Sequence, residues 1–256
     1  MMYRCSTTSV AGFIQQLAVC YVGRGYWFYV TGRIPESKDP SAVDRKLIAH
    51  YGIDLSKYQR HRRKRENKAN LQYIRYQHFF ALLATAGQHP FFEEEKTVIR
   101  DIRKSPLLFS GHAISYKQNH PHVRIAKDAY QELRAYLLNI ACHASHETLE
   151  KILLTSPYEA YAPVKKQLLS IAEAVNQARK KAKLAPITIE RIRHKKRRVC
   201  QPFAVPAEKP QTALAEQMEQ IILPKPEPEQ PALQSAADPL LAQFGSVLNN
   251  LLTPDK

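Results

Sequence analysis

Glycine is scarce in this chain, with eight among 256 residues. None falls in a glycine-rich loop that could cradle phosphates, and neither a nucleophile elbow nor a zinc-protease motif is present. A dinucleotide-binding Rossmann site is therefore not expected. Cysteine is equally sparse: Cys5, Cys20, Cys142 and Cys200 lie far apart and no CxxC pair exists. That spacing argues against a disulfide scaffold or a zinc knuckle and points to reduced thiols in a cytoplasmic protein. No window approaches about 18 uninterrupted apolar residues, so neither a transmembrane helix nor a membrane partner is expected. The first 23 residues resemble a signal peptide only loosely, because Arg4 is their one basic residue and Gln15–Gln16 interrupts the apolar run.

Acid is also in short supply. Lys plus Arg is 38 against 23 for Asp plus Glu, a formal net charge of +15 and a pI near 9.7. An excess of that size implies an anionic partner, nucleic acid or an anionic surface. Its distribution is uneven. From Gln201 onward there are seven acids and three lysines, a net of −4, which leaves +19 on the first 200 residues. The same stretch holds nine of the 17 prolines. Residues 201–256 thus read as a disordered, acidic, Pro-rich tail that cannot bury enough apolar surface to offset its ordering entropy. Within it, residues 239–252 place Leu240, Leu241, Phe244, Val247, Leu248, Leu251 and Leu252 on helical spacing. An amphipathic helix after such a linker suggests a docking segment for a protein partner.

The front of the chain alternates strand and helix signals. Tyr26–Ile34 is a β-rich run, and Asp39-Pro40-Ser41 opens a helix that Gly52 closes after Tyr51. Leu71–Thr85 is a second long apolar run, with His78 mid-strand, and Glu93–Lys104 reads as helix with acids in its first turn. His112–Lys117 and His122–Ile125 are strands around the turn Gln118–Pro121, and Asp128 opens a helix to about Cys142. The order β-α-β-β-α-β-β-α gives an α+β fold with an antiparallel sheet and helices in layers. Further helical patterns cover His146–Leu154 and Val164–Leu184, so residues 146–200 form a helical, basic extension.

The densest positive charge is Arg60–Lys68, either a loop or the end of a helix, with Arg60, Arg62, Arg63, Lys64, Arg65 and Lys68 as candidate phosphate contacts. Arg33, Arg75, Lys117 and Arg124 point the same way, as does the second cluster, Lys195, Lys196, Arg197 and Arg198. Tyr26, Trp27, Tyr29, Tyr73 and Tyr76 are interleaved, and strand-borne rings can stack on unpaired bases. Among ten histidines, His120 and His122 have the His-x-His spacing that puts both on one strand face. No carboxylate obviously completes a metal site with these residues or with His78.

The order of motifs resembles the single-strand-DNA transposases of the His-hydrophobic-His class, especially the REP-associated tyrosine transposases. Tyr29-Val30-Thr31-Gly32-Arg33 looks like that family's YHVTSRG strand, and Gln77–Leu83 resembles the strand carrying its NHxHLL motif. Phe109–Ile125 followed by Asp128–Ile140 is similar to its WQGRYKA…DEAYLLELSRYI segment, so the likeness spans residues 24–145. His78 falls where the family has its first metal-binding histidine, but Phe80 occupies the second position, and Glu93–Lys104 holds no tyrosine to act as nucleophile. The resemblance therefore implies a retained binding scaffold, without cofactor or catalysis, for structured single-stranded DNA or for RNA hairpins. An enzymatic alternative would draw a divalent metal to His78, His120 and His122 and use Tyr130 or Tyr136 as nucleophile. A third reading is an adaptor that recruits a protein through residues 239–252.

Overall fold

The computed structural model describes residues 3–197 and 199–203, and the fold is α+β. The proposed partner helix at 239–252 and Arg198 lie outside the described residues. A five-stranded mixed sheet runs in the order β1-β3-β4-β2-β5, where β1 is Ser6–Thr7, β2 Phe28–Arg33, β3 Leu71–Tyr76, β4 Phe79–Ala84 and β5 Arg100–Asp101. From β2 to β5 all pairings are antiparallel. The chain joins these strands as a split β-α-β-β-α-β unit.

Alternation along the strands divides the apolar residues between two faces. Val30, Tyr73, Phe80 and Leu82 point to one side and bury Val43 and Leu47 of helix α2 (Pro40–His50) and Tyr51 just past its end. Asp39 caps α2, accepting from the Ser41 and Ala42 amides, as its Asp-Pro-Ser signal predicts. Tyr29, Ile74, Ala81 and Leu83 point to the other side, against α1 (Val10–Gln15). That helix loosens into a π turn at Gln16–Tyr21 and ends in a 3-10 turn at Val22–Arg24. Phe13, Ile14, Leu17 and Val22 are fully buried there. The segment ahead of Arg24 thus belongs to the same core as the domain expected to begin at that residue.

A second, antiparallel sheet covers this side in the order β6-β7-β8: β6 Leu107–Phe109, β7 His112–Lys117 and β8 His120–Ile125. Gln118 and Asn119 both take positive φ, a two-residue turn that closes Lys117 against His120. Behind this sheet, α5 (Lys127–Ile140), α6 (His146–Thr155), α7 (Ala162–Lys181) and α8 (Glu190–His194) enclose a third core. The Gln167 carboxamide of α7 accepts from the Ile125 amide and donates to its carbonyl, sealing the outer edge of β8. Arg179 of α7 is buried and donates to the carbonyls of Ala141, Ala144 and Ala185, which ends α5 and anchors the next loop.

Three sequence expectations are corrected. The helix expected over Glu93–Lys104 is one short turn, α4 (Phe91–Glu94), and Arg100–Asp101 instead pairs with Tyr29 and Phe28 as β5. Val98, Ile99 and Ile102 match helical spacing, but the open edge of β2 offers backbone partners, including the Trp27 carbonyl for the Ile102 amide. His78 is not mid-strand. It sits in the hairpin between β3 and β4, where Gln77 has φ +51° and Tyr76 faces Phe79. The segment expected to be tail from Gln201 includes residues that dock: the Pro202 carbonyl accepts from the Thr8 amide.

Candidate nucleic-acid interface

The run Lys57–Arg65 forms a helix, α3, of sequence KYQRHRRKR. The sequence left loop and helix open because the run has no apolar periodicity. Its start is fixed by a capping box: the Ser56 hydroxyl accepts from the Gln59 amide and the Gln59 side chain accepts from the Ser56 amide. Its end suits its charge, since Arg62 to Arg65 lie in the last turn, where the helix dipole is negative. No residue of α3 is buried, and Tyr58 is 80% exposed.

Polar contacts hold this helix to the domain. Asn70 donates to the Arg60 carbonyl, and Arg63 donates twice to the Ala69 carbonyl. Gly87 makes that junction possible. At φ +132°, a Cβ there would lie 2.6 Å from the Ala69 nitrogen, so only glycine lets the Asn67–Ala69 backbone approach. The cations of α3 are spaced for mutual repulsion, and like-charge pairs three or four residues apart each cost a few tenths of a kcal/mol. Glu66 offsets part of that cost. Hydrogen bonds from Lys68 and Arg62, each at 2.9 Å, pull its carboxyl down to about 2. Lys57, Arg60, Lys64 and Arg65 form no ion pair among the described residues.

The first turn of α3 also walls a groove of about 950 Å³. Lys57 and Arg60 face it from α3, Arg4 and Arg24 from the N-terminal segment, and Tyr3, Tyr26 and Phe203 supply aromatic lining. The Arg60 Nε is buried without a hydrogen-bond partner. A buried donor left unpaired costs about 1–3 kcal/mol, a deficit that a bound acceptor removes. Arg4, Lys57, Tyr3 and Phe203 carry no sequence signal of their own, since no local pattern joins residues as far apart as Tyr3 and Phe203.

The other nominated cations divide into exposed and spent. Arg33 is exposed at the end of β2, and Lys117 and half-buried Arg124 lie on the β7–β8 hairpin. Lys196 is exposed, whereas Lys195 donates to the Ser156 carbonyl and Arg197 lies over the Tyr161 ring while donating to its hydroxyl. Arg75 is removed from the list of contacts. It is 8% exposed, its Nε and Nη2 donate to the Asp44 carboxylate at 2.8 Å, and its Nη1 donates to the Gln77 carbonyl.

The residues of the enzymatic alternative are spread over separate elements. His78 donates from Nδ1 to the Ile34 carbonyl and His120 from Nδ1 to the Gln118 carbonyl, while His122 stands on β8. Among the described residues, no three His, Cys, Asp or Glu side chains come together as a metal site. Tyr130 packs against the helical core and Tyr136 is exposed on the same helix, α5. Phe80, where the resemblance would want a second histidine, is fully buried. Among the described residues no helix is long and apolar enough to cross a membrane. Comparison with models of known protein families gives no match, and a search of curated proteins gives none.

Proposed function

We propose that this chain binds nucleic acid without acting on it chemically, and that α3 with its adjoining groove is the principal contact. One observation carries the reading: α3 places six Lys or Arg in nine residues, none of them buried, and among the described residues Arg62 alone is paired to an acid. Such a helix contributes no apolar packing, and its repulsion is relieved when phosphates neutralise it and release counterions. It also lacks an apolar face, so it has nothing to insert into a lipid surface.

The ligand class is structured single-stranded nucleic acid, a DNA hairpin or its RNA counterpart. The groove beside α3 combines cations for the backbone with aromatic lining for unpaired bases, the pairing that single strands use. The resemblance to the His-hydrophobic-His transposases favours the same ligand. With Phe80 in the core and His78 in a turn, the reading keeps that family's scaffold and drops its chemistry.

The test is fluorescence anisotropy of labelled DNA and RNA hairpins at several salt concentrations. With on the order of five phosphate contacts, log affinity should fall against log salt with a slope of roughly −3.5 to −4.5. Replacing Lys57, Arg62, Lys64 and Arg65 by Gln should weaken every hairpin alike and flatten the slope, since phosphate contacts position and base contacts specify. Arg63 is left in place because it holds the helix. Parental affinity in the quadruple variant, or no binding by the parent at low salt, refutes the reading.

A further inference from the structure

The second sheet has one face turned away from the first core. In its cross-strand pairs, Lys117 lies opposite His120, Ser115 opposite His122 and Ala113 opposite Arg124. Directly opposed residues share a face, so Lys117, His120, His122 and Arg124 stand together. The intervening residues Ile114, Tyr116 and Val123 turn the other way, into or against the first core. On this face Leu108, paired with Ala113, is 60% exposed and Lys117 and His120 are exposed, whereas Ala113 and Ser115 are buried. Small Ala113 and Ser115 make its floor.

Helix α7 adds a further cation. Gln167 is bound to the Ile125 backbone, which brings the preceding residue, exposed Lys166, alongside β8. Lys117, Arg124 and Lys166 form no ion pair among the described residues. Burial, and then the charges of Lys117, Arg124, His120 and Lys166, hold the His122 imidazole below the usual histidine range. Its Nδ1 is buried without a hydrogen-bond partner, so this nitrogen offers no compensating contact.

We propose that this face is a second phosphate-binding surface, on which Lys117, Arg124 and Lys166 take the phosphodiester backbone of the bound nucleic acid. The proposal rests on the nucleic-acid reading but uses different elements from α3. An arriving phosphate offsets the positive charges around His122 and so favours its protonated form, which makes binding tighten as pH falls through the range where that imidazole titrates. The groups acting on His122 are Lys117, His120 and Arg124 from its own hairpin and Lys166 from α7.

The experiment compares the full chain with a Lys117→Gln, Arg124→Gln, Lys166→Gln variant whose α3 is intact, using labelled DNA and RNA hairpins. Three lost contacts should make the salt slope shallower by about 2 to 2.7, at roughly 0.7 to 0.9 per phosphate. In parallel, the His122 imidazole is titrated by NMR in the parent, free and hairpin-bound. Its midpoint should move up on binding in the parent and stay put in the triple variant. Parental affinity and slope in the variant, with an unmoved His122 midpoint, would overturn this surface while leaving α3 as the interface. No hairpin binding by the parent would overturn both readings, and the parental NMR titration decides the case if the variant fails to fold.

Discussion

Gln15 and Cys200, 185 residues apart, are joined by two hydrogen bonds: the Gln15 carboxamide donates to the Cys200 carbonyl at 2.8 Å and accepts from its amide at 3.2 Å. The clasp draws the end of the described chain across α1, where Pro202 lies against Gly12. There its carbonyl receives the Thr8 amide at 3.1 Å. It brings the helical extension back onto the first core and carries Phe203 to the groove beside α3.

Gln15→Ala should therefore destabilise the protein by about 1–2 kcal/mol, the usual net worth of two partly buried hydrogen bonds. Urea denaturation of the full chain is the measurement. A chain ending at Phe203 keeps the clasp and is the reference, whereas one ending at Val199 should lose at least as much as Gln15→Ala. Equal midpoints for all of these chains would mean that the clasp holds nothing.

The buried pair of Asp44 and Arg75 makes a larger claim on stability. Asp44 also accepts from the Tyr73 hydroxyl at 2.6 Å and from the Cys5 thiol at 3.4 Å, so its carboxylate gathers three side chains. Removing one partner of such a pair strands the other charge and costs about 3–5 kcal/mol. Asp44→Ala and Arg75→Met should each approach that range in equilibrium unfolding. Losses under about 1 kcal/mol would show that water reaches the pair. Hairpin affinity per folded molecule should be unchanged in Arg75→Met, because Arg75 presents no charge to a ligand.

His112 sets a pH dependence of folding. Its Nδ1 donates to the Ser110 carbonyl and its Nε2 accepts from the Glu159 amide, so the neutral ring is fully satisfied. Burial lowers its tendency to protonate, although bonds to backbone carbonyls partly oppose the shift. The unfolded chain binds the proton more readily, so the stability contributed is complete above the unfolded value, near 6.5. It is lost as pH falls below that value. Each such imidazole contributes a slope of at most about 1.4 kcal/mol per pH unit. Urea midpoints between pH 7.5 and 5.5 should fall, and less so in His112→Gln. Equal slopes in the two proteins would remove His112 from the account.

Much of the local structure was legible in the sequence. The Asp39 cap and Gly52 stop of α2, the β7–β8 hairpin and the long helices follow from caps, turns and apolar spacing within a few residues. The hairpin at Gln77–His78 was not, because it has no glycine or asparagine at its left-handed position. Nor was β5, whose Val98, Ile99 and Ile102 fit a helix as well as an edge strand until β2 offers a partner.

At the candidate interface, the sequence by itself determined how much positive charge the chain carries and that it concentrates at Arg60–Lys68. Composition and local order settle both. Which cations remain free was decided by tertiary structure alone. Arg75 is consumed by Asp44, 31 residues earlier, and Arg179 by carbonyls as far as 38 residues away, whereas Lys64 and Arg65 meet no acid among the described residues. The reason is physical. Helix and strand periodicities arise between near neighbours, but neutralising or burying a charge depends on whichever distant group the fold sets within about 4 Å of it.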